Sequence, residues 1–233
     1  MRSIIIGGTS GLGRHIAEEL LSRGSQIITL SRAETGFPNS PHFQCELLDQ
    51  EKLMSICLDI RNKNSTIDNV WCVAGYAYPR RPEEQDQAFQ KRHLDRNLTY
   101  VRLALEILKS SLERSEAPII VTCGSQWSYR PMSDCQELAP YIKAKHALRE
   151  YTEDFALRNP KIRANHYCIP TSETQSYRRI EENFKILGKD IRKSHQVLAN
   201  PMVVARSLVE HALQYRRSGM TLVCEPNGLI KAL

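Results

Sequence analysis

The chain begins with an apolar run that leads directly into a glycine-rich turn. Residues 4–6 are three isoleucines, and the segment GGTSGLG behind them has glycines at positions 7, 11 and 13. Apolar residues then recur every four positions, at Leu12, Ile16 and Leu20, and side chains at that spacing share one face of a helix. The segment therefore predicts a buried strand, a tight turn and an amphipathic helix in immediate succession.

The same order of strand and helix recurs along the rest of the chain. Short β-rich runs predict strands at residues 4–6, 26–30, 43–45, 70–73, 119–122 and 164–169. Segments with apolar residues three and four apart predict further helices at residues 49–61, 86–114, 139–158 and 202–217. Since strand–helix–strand units cross over right-handedly, we predict an α/β fold. It is a doubly wound, mostly parallel sheet with helices on both faces, the Rossmann fold.

Nothing in the composition divides the chain into two domains. Of its 233 residues 41% are hydrophobic and 25% are charged, and neither an internal repeat nor a shift in composition marks a linker. We therefore predict a single domain over residues 1–233. Residues 171–193 are polar and basic, which predicts a flexible excursion, and we expect residues 171–195 to form a lid over a substrate site.

Charge, cysteines and hydropathy argue against several classes of protein. The net charge is +6, but the arginines are scattered without a recognition motif, so we predict no nucleic-acid partner. The seven cysteines have no CxxC pair or metal-ligand spacing, which predicts reduced thiols and no metal site. With no signal peptide and no run of roughly 18 apolar residues, we expect a soluble, cytoplasmic protein without a membrane partner.

Each glycine of the turn has a mechanical role in holding a phosphate. Gly7 permits the turn, Gly11 lets the backbone approach a pyrophosphate, and Gly13 lets the helix pack closely on the sheet. The N-terminus of the helix also favours negative charge. A glycine turn without a ligand is the alternative, but the position between the first strand and the first helix favours a nucleotide.

The glycines are separated by three residues and then by one, a spacing that resembles the short-chain dehydrogenase/reductase family. Ile6 stands where that family usually has a threonine, which removes one hydrogen bond of the turn but leaves the phosphate site. The resemblance covers nearly the whole chain and implies a nicotinamide dinucleotide. In the turn it implies cofactor contacts from Gly7, Thr9, Ser10, Gly11, Leu12 and Gly13.

The end of the second predicted strand favours NADP(H) over NAD(H). Ser31 and Arg32 stand close to where relatives that prefer NAD carry an acidic side chain for the ribose hydroxyls. A carboxylate there would repel a 2′-phosphate, whereas a serine hydroxyl and a guanidinium can bind it. A solvated surface arginine is the alternative. We predict NADP(H) as the cofactor.

Three further segments resemble cofactor-binding segments of the family. They correspond to segments that contact the adenine, that end an asparagine-rich stretch, and that touch the nicotinamide carboxamide. Each departs from the pattern, since a glutamate replaces an aspartate, Cys72 and Val73 replace two asparagines, and Thr171 replaces a glycine. The implied contacts are Glu46, Leu47, Ala74, Gly75, Pro170 and Thr174.

Tyr141 and Lys145 are four residues apart in a predicted helix, so their side chains can meet the same ligand. A surface tyrosine and lysine would have the same spacing, but the preceding strand and the glycine turn favour a catalytic pair. The resemblance implies that Tyr141 donates a proton to a substrate carbonyl. It also implies that Lys145 lowers the pKa of the phenol from about 10 and binds the nicotinamide ribose.

A serine and an asparagine complete the predicted catalytic set. Ser125 ends the strand before Tyr141, where the resemblance implies that its hydroxyl holds the carbonyl oxygen. Ser128 lies at the commoner family distance from the tyrosine and is the alternative. Asn97 matches an asparagine that supports a proton relay through water to Lys145, with a satisfied core amide as its alternative.

The sequence thus predicts an NADPH-dependent oxidoreductase, a carbonyl reductase that transfers hydride between the nicotinamide and a carbonyl or alcohol carbon of a small molecule. Residues 76–96, 126–138 and 171–195 are expected to shape the substrate pocket. The alternatives are an isomerase, epimerase or dehydratase of the same fold, or a protein that senses NADP(H). Relatives pair through two helices, here residues 86–114 and 139–158, so we expect a homodimer or homotetramer.

Overall fold

The computed structural model describes residues 1–75, 77–78, 83–129, 138–188 and 198–233, and their strands form one sheet. Its order is β3-β2-β1-β4-β5-β6-β7-β8. All neighbours are parallel except β8, which runs antiparallel to β7 at the edge. The predicted fold class is confirmed. The strands are β1 (Arg2–Ile6), β2 (Gln26–Ser31), β3 (His42–Gln44), β4 (Asn69–Cys72), β5 (Ile119–Ser125), β6 (Arg163–Ile169), β7 (Thr221–Cys224) and β8 (Ile230–Ala232).

Helices cover both faces of the sheet, and the alternation of side chains along β1 shows how. Ile4 and Ile6 lie in the core formed with α2, α4 and α5, whereas Ile5 lies in the core formed with α1 and α7. A strand buried on both faces is apolar without interruption, as residues 4–6 are. The helices are α1 (Gly11–Ser22), α2 (Gln50–Lys63), α3 (Asp86–Leu94), α4 (Tyr100–Leu112), α5 (Ala139–Arg158), α6 (Gln175–Ile186) and α7 (Pro201–Gln214).

The helix predicted over residues 86–114 is interrupted by a π-helical segment. Residues Asp95–Thr99 form this segment between α3 and α4, and Asn97 and Leu98 within it are buried. A π-helical turn accommodates an extra residue and is frequent at functional sites. The segment therefore changes which side chains of the long helix face the sheet, and Asn97 is one of them.

The segment predicted to be a flexible excursion, residues 171–193, contains the helix α6, which the sequence analysis did not predict. The Thr174 hydroxyl accepts a hydrogen bond from the Tyr177 backbone N–H at 3.2 Å and caps the helix. Tyr177, Glu181 and Phe184 are buried at intervals of four and three residues, which is a helical pattern. The arginines and glutamates between these residues make the segment polar overall, so the helical pattern was not recognised from the sequence. Residues 189–195 of the predicted lid lie outside the described part of the chain.

Two strands at the C-terminal end were not predicted from the sequence. β7 and β8 are only four and three residues long, and they pair with each other through Leu222 and Ala232, Val223 and Lys231, and Cys224 and Ile230. Such short runs carry too little periodicity to be recognised without their neighbours.

Six of the seven cysteines lie in the described residues, and all six are buried free thiols. Cys135 lies outside the described residues. Within the ranges that the structure describes, no group of three histidine, cysteine or acidic side chains could hold a metal ion. Over the same ranges, no helix has both the length and the hydropathy needed to cross a membrane.

A buried histidine occupies the space beside a glycine in the strand that leads to Ser125. His166 on β6 is fully buried, and its Nδ1 is hydrogen-bonded to the Thr122 hydroxyl at 2.8 Å. Burial lowers the pKa of His166 to about 3, so the ring is neutral. A Cβ added at Gly124 would overlap His166 Nε2. The glycine between Cys123 and Ser125 is therefore required by the neighbouring ring.

We predict that Gly124→Ala lowers the free energy of unfolding by about 1 to 3 kcal/mol, because the added methyl group overpacks the core against His166. In a His166→Ala background, the same substitution should cost at least about 1 kcal/mol less, since the small side chain leaves room for the methyl group. Urea denaturation of the two single variants and the double variant measures this coupling. An equal cost of Gly124→Ala in both backgrounds would contradict the packing.

Candidate active site

A cavity of about 610 Å³ lies at the carboxyl ends of the central strands. Ligands bind at this edge in open α/β sheets. Every residue predicted to bind the cofactor or to act in catalysis lines it, except Asn97. The predicted residues that line it are Gly7, Thr9, Ser10, Gly11, Leu12, Gly13, Ser31, Arg32, Glu46, Leu47, Ala74, Gly75, Ser125, Tyr141, Lys145, Pro170 and Thr174.

The glycine turn fits close against its neighbours, and side chains would destroy that fit. Gly7 has a φ of +92°, and a Cβ there would lie 2.7 Å from the Ala74 backbone nitrogen. A Cβ at Gly13 would overlap the carbonyl oxygen of Gly7. Gly11 has a φ of +51°, and its open side faces Thr174 at the start of α6. The turn therefore presents bare backbone to the cavity at the start of α1, which fits a dinucleotide pyrophosphate.

The end of β2 supplies hydroxyls and a guanidinium to one end of the cavity. The Thr9 hydroxyl donates to Ser31 Oγ at 2.7 Å, so the glycine turn and the end of β2 are joined by side chains. Ser31 Oγ also accepts from the Ala33 backbone N–H at 3.1 Å. Arg32 is exposed and lines the cavity, whereas the next acidic residue, Glu34, does not line it.

Glu46 pairs with an arginine that the sequence analysis did not single out. Arg96 lies in the π-helical segment, one residue before Asn97, and its guanidinium is 3.6 Å from the Glu46 carboxylate. Both side chains line the cavity. The pair brings together residues 50 positions apart (96 minus 46), and no local pattern predicts such a contact. Its consequence is that the carboxylate of Glu46 is partly neutralised.

Lys145 is a buried cation at the centre of the site. It is 2% exposed, and its Nζ donates to the Cys123 carbonyl oxygen at 2.9 Å. A Cβ on Gly75 would lie 3.3 Å from this Nζ and 3.6 Å from Asn97 Oδ1, so the amide oxygen and the amine approach the same glycine. Asn97 Nδ2 donates to the His93 carbonyl oxygen at 2.8 Å, which fixes the orientation of the amide. Asn97 thus lies behind the cavity wall, beside Lys145.

Tyr141 and Ser125 line the same cavity, and the ring centroid of Tyr141 is 5.7 Å from Lys145 Nζ. Burial raises the pKa of Tyr141 to about 12, while the hydrogen bond to Ser125 acts in the opposite direction. The expectation that Lys145 lowers the pKa of the phenol below its ordinary value is therefore wrong for this arrangement. The reason is desolvation, which opposes the phenolate more than its neighbours favour it.

The structure places Ser125, and not Ser128, in the cavity that Tyr141 lines. Ser128 is buried, does not line the cavity, and donates its hydroxyl to the Ser125 carbonyl oxygen at 2.6 Å. Ser125 Oγ accepts from the Trp127 backbone N–H at 3.3 Å, which leaves its own proton to donate. Of the two serines that the sequence left open, geometry therefore favours the one at the strand end.

One wall of the cavity is apolar. Trp127, Leu138, Ile142 and Phe184 form a buried cluster, and Tyr141 and Ile180 pack against it. Trp127, Leu138 and Ile180 all lie in segments that the sequence predicted to shape the pocket, although the helix that carries Ile180 was not predicted. Residues 76, 79–82, 130–137 and 189–195, which the predicted pocket segments include, lie outside the described residues.

Comparison with known proteins identifies the family. A sequence model described as short chain dehydrogenase matches residues 2–185. The chain belongs to this family, and it is accordingly an oxidoreductase of the class that uses a nicotinamide cofactor. A search of curated protein sequences gives no match.

Solved structures show the same fold. A ligand-free aldohexose dehydrogenase from Thermoplasma acidophilum is 23% identical, with a TM-score of 0.81 over 97% of this chain and 92% of that one. The RhlG/NADP active-site complex from Pseudomonas aeruginosa is 18% identical, with a TM-score of 0.76 over 98% and 96% of the two chains. A 3-ketoacyl-(acyl-carrier-protein) reductase from Brucella melitensis, complexed with NADH, is 16% identical, with a TM-score of 0.79 over 98% of each chain. At these identities the likeness concerns the fold alone.

The burial of Lys145 predicts a specific dependence of stability on pH. Burial lowers the pKa of Lys145 from the ordinary 10.5 to about 8, so the folded protein binds fewer protons than the unfolded chain between these values. The buried ammonium therefore destabilises the fold below pH 8, and this cost disappears as the pH rises towards 10.5. Relative to Lys145→Met, the wild-type free energy of unfolding should rise by about 3 kcal/mol across this window.

Urea denaturation of both proteins at a series of pH values measures the difference, because groups common to both cancel. Lys143→Met is the matched control, since Lys143 is exposed on the same helix, and its difference from the wild type should stay constant with pH. A constant difference for Lys145→Met as well would show that Lys145 is solvated.

Proposed function

We propose that the protein is an NADPH-dependent carbonyl reductase, in which Tyr141, Ser125 and Lys145 act on the substrate carbonyl. The observation that supports this most is that Ser125, Tyr141 and the buried Lys145 line one cavity together with the glycine turn. A substrate oxygen placed between the two hydroxyls would receive a hydrogen bond from each. When bound, the reduced nicotinamide supplies hydride to the carbonyl carbon.

Tyr141 is the proton donor in this proposal. Because burial raises the pKa of Tyr141 to about 12, the phenol is protonated at neutral pH and holds the proton that the product alcohol needs. The Ser125 hydroxyl holds the same oxygen while negative charge develops on it. The carbonyl oxygen takes the proton from the phenol as the carbon–hydrogen bond forms, and the phenolate that remains is stabilised by the nearby ammonium of Lys145.

Asn97 acts through Lys145 and does not touch the substrate. Its amide is oriented by the His93 carbonyl, and its oxygen approaches the lysine at Gly75. An amide oxygen can accept a hydrogen bond from the ammonium directly or through water, which keeps the lysine oriented towards the cavity. We propose that Asn97 thereby positions Lys145 and connects it with the proton relay.

The preference for NADP(H) rests on the charges at the end of β2. Ser31 and Arg32 line the cavity there, and the Glu46 carboxylate that also lines it is paired with Arg96. A 2′-phosphate would therefore meet a hydroxyl, a guanidinium and a partly neutralised carboxylate. An adenosine with a free 2′-hydroxyl would leave Arg32 without an anionic partner.

Replacing the proton donor should lower turnover strongly without weakening the binding of the cofactor. We predict that Tyr141→Phe lowers kcat with reducible carbonyl compounds by a factor of about 100 to 10,000, because general acid catalysis is lost. The dissociation constant of NADPH, measured by nicotinamide fluorescence, should change by less than about threefold, since one hydroxyl that faces the substrate is removed.

Tyr151→Phe is the matched control for this experiment. Tyr151 lies on the same helix, is half-buried and does not line the cavity, so the control should keep full turnover. If Tyr141→Phe turned over substrate as fast as the wild type, the assignment of the proton donor would be wrong.

The choice between cofactors should depend on Arg32. We predict that Arg32→Gln raises the dissociation constant of NADPH by about 10-fold to 100-fold, because a charge-assisted hydrogen bond to phosphate is lost. The dissociation constant of NADH should change by less than about threefold. Titration of each cofactor, followed by fluorescence, measures both constants. Arg102→Gln, on an exposed position of α4, is the control. An equal effect on the two cofactors, or tighter wild-type binding of NADH, would contradict this specificity.

A further inference from the structure

One arginine of the cavity has no role in the proposed reaction. α6 contributes Ser176, Tyr177, Arg179 and Ile180 to the cavity wall, and Arg179 is the residue of this helix that brings a positive charge. The polar composition of residues 171–193 concealed the helix, so no sequence pattern distinguished Arg179 from its neighbour Arg178.

The two other cationic side chains of α6, Arg178 and Lys185, each pair with a carboxylate. The Arg178 guanidinium is 3.0 Å from the Glu173 carboxylate, and Lys185 is 3.6 Å from Glu181. Arg179 makes no ion pair with any carboxylate in the described part of the chain, including Glu182 three residues further on. Its guanidinium is therefore available to an anion that enters the cavity.

The charges that line the cavity are unbalanced. In the described residues, Arg32, Arg96, Lys145 and Arg179 line it with positive side chains, and Glu46 lines it with a negative one. Arg96 is paired with Glu46, and the proposed function assigns Arg32 to the 2′-phosphate and Lys145 to Tyr141. No anionic group of the proposed reaction has yet been assigned to Arg179.

The position of Arg179 along α6 indicates which end of the cavity it serves. The helix begins at the glycine turn, where Thr174 Cγ2 lies 3.4 Å from the site of a Cβ on Gly11. Arg179 is five residues beyond Thr174, about 7 to 8 Å along the helix axis. The next residue, Ile180, packs against the apolar cluster that includes Trp127 and contacts Tyr141. Arg179 therefore lines the cavity beyond the glycine turn, one residue before a side chain of the apolar wall.

We propose that Arg179 recognises an anionic group of the substrate, a carboxylate or a phosphate, on a carbonyl compound whose apolar body lies against Trp127, Leu138 and Ile180. The inference rests on the proposed reductase function and specifies its substrate class. A guanidinium binds either oxyanion through two parallel hydrogen bonds, while the apolar wall favours a hydrocarbon or aryl body. The cofactor pyrophosphate has the same chemistry, so the test must separate it from the substrate.

The test compares acids with their methyl esters, which keep the carbonyl and the apolar body but lose the charge. The probes are para-formylbenzoate and levulinate, each beside its methyl ester, with NADPH as reductant. For the wild type we expect a higher kcat/KM for each acid than for its ester. In Arg179→Gln the ratio of acid to ester should fall by about tenfold, the lower end for a charge-assisted hydrogen bond at an open site.

Arg178→Gln is the matched control, because Arg178 is the adjacent exposed arginine and does not line the cavity. It should leave the ratio of acid to ester unchanged, whereas Arg179→Lys should restore part of it by restoring the charge. The dissociation constant of NADPH, measured by fluorescence, should be the same in Arg179→Gln and the wild type.

Three results would overturn the proposal. The first is an unchanged ratio of acid to ester in Arg179→Gln, and the second is a wild-type enzyme that does not prefer the acids. The third is weaker NADPH binding in Arg179→Gln, which would assign the arginine to a cofactor phosphate. Isothermal titration calorimetry measures the affinity for para-formylbenzoate, with and without NADP⁺. This measurement tests the anion site independently of turnover. If none of the four compounds were reduced, the reductase proposal would fail, and a tenfold loss of acid affinity in Arg179→Gln would still support the anion site.

Discussion

The site depends on keeping one ammonium group buried at the edge of the sheet. Lys145 reaches that edge from α5 and donates to the Cys123 carbonyl of β5, and its Nζ and the Asn97 amide oxygen both lie close to Gly75. Removing a charge from water is costly, and burial lowers the pKa of Lys145 to about 8, so the surrounding oxygens must compensate. The bare glycine, the π-helical segment and the strand end all serve this requirement.

The same edge explains how the ligand-facing parts of the molecule are arranged. The glycine turn lies at the end of β1, Ser31 and Arg32 at the end of β2, Gly75 beyond β4, and Ser125 at the end of β5. In a parallel sheet these strand ends lie along one edge, although they are far apart in sequence. Under the proposed function, a dinucleotide laid along the edge meets the backbone of the glycine turn, then Arg32 at one end and Tyr141 with Lys145 at the other.

The sequence predicted what short-range patterns can encode. Periodicity predicted most strands and helices, and the four-residue spacing predicted that Tyr141 and Lys145 share a ligand. Both residues line one cavity, which Ser125 at the strand end also lines and Ser128 does not. Contacts between distant segments could not be predicted. The Arg96–Glu46 pair, the packing of His166 against Gly124 and the two short C-terminal strands exist only through partners elsewhere in the chain. The raised pKa of Tyr141 belongs to the same class, because burial is a property of the fold and not of the residue's neighbours in sequence.

The helix α6 is different, since its pattern was present at Tyr177, Glu181 and Phe184 but was masked by the charges between them.

The most direct measurement is a crystal structure of the protein grown with saturating NADP⁺. The account predicts continuous electron density along the sheet edge, with the phosphorylated ribose beside Ser31 and Arg32 and the nicotinamide beside Tyr141 and Lys145. Density in the opposite orientation, or an edge that stays free of NADP⁺ at a concentration that saturates other members of the family, would contradict it.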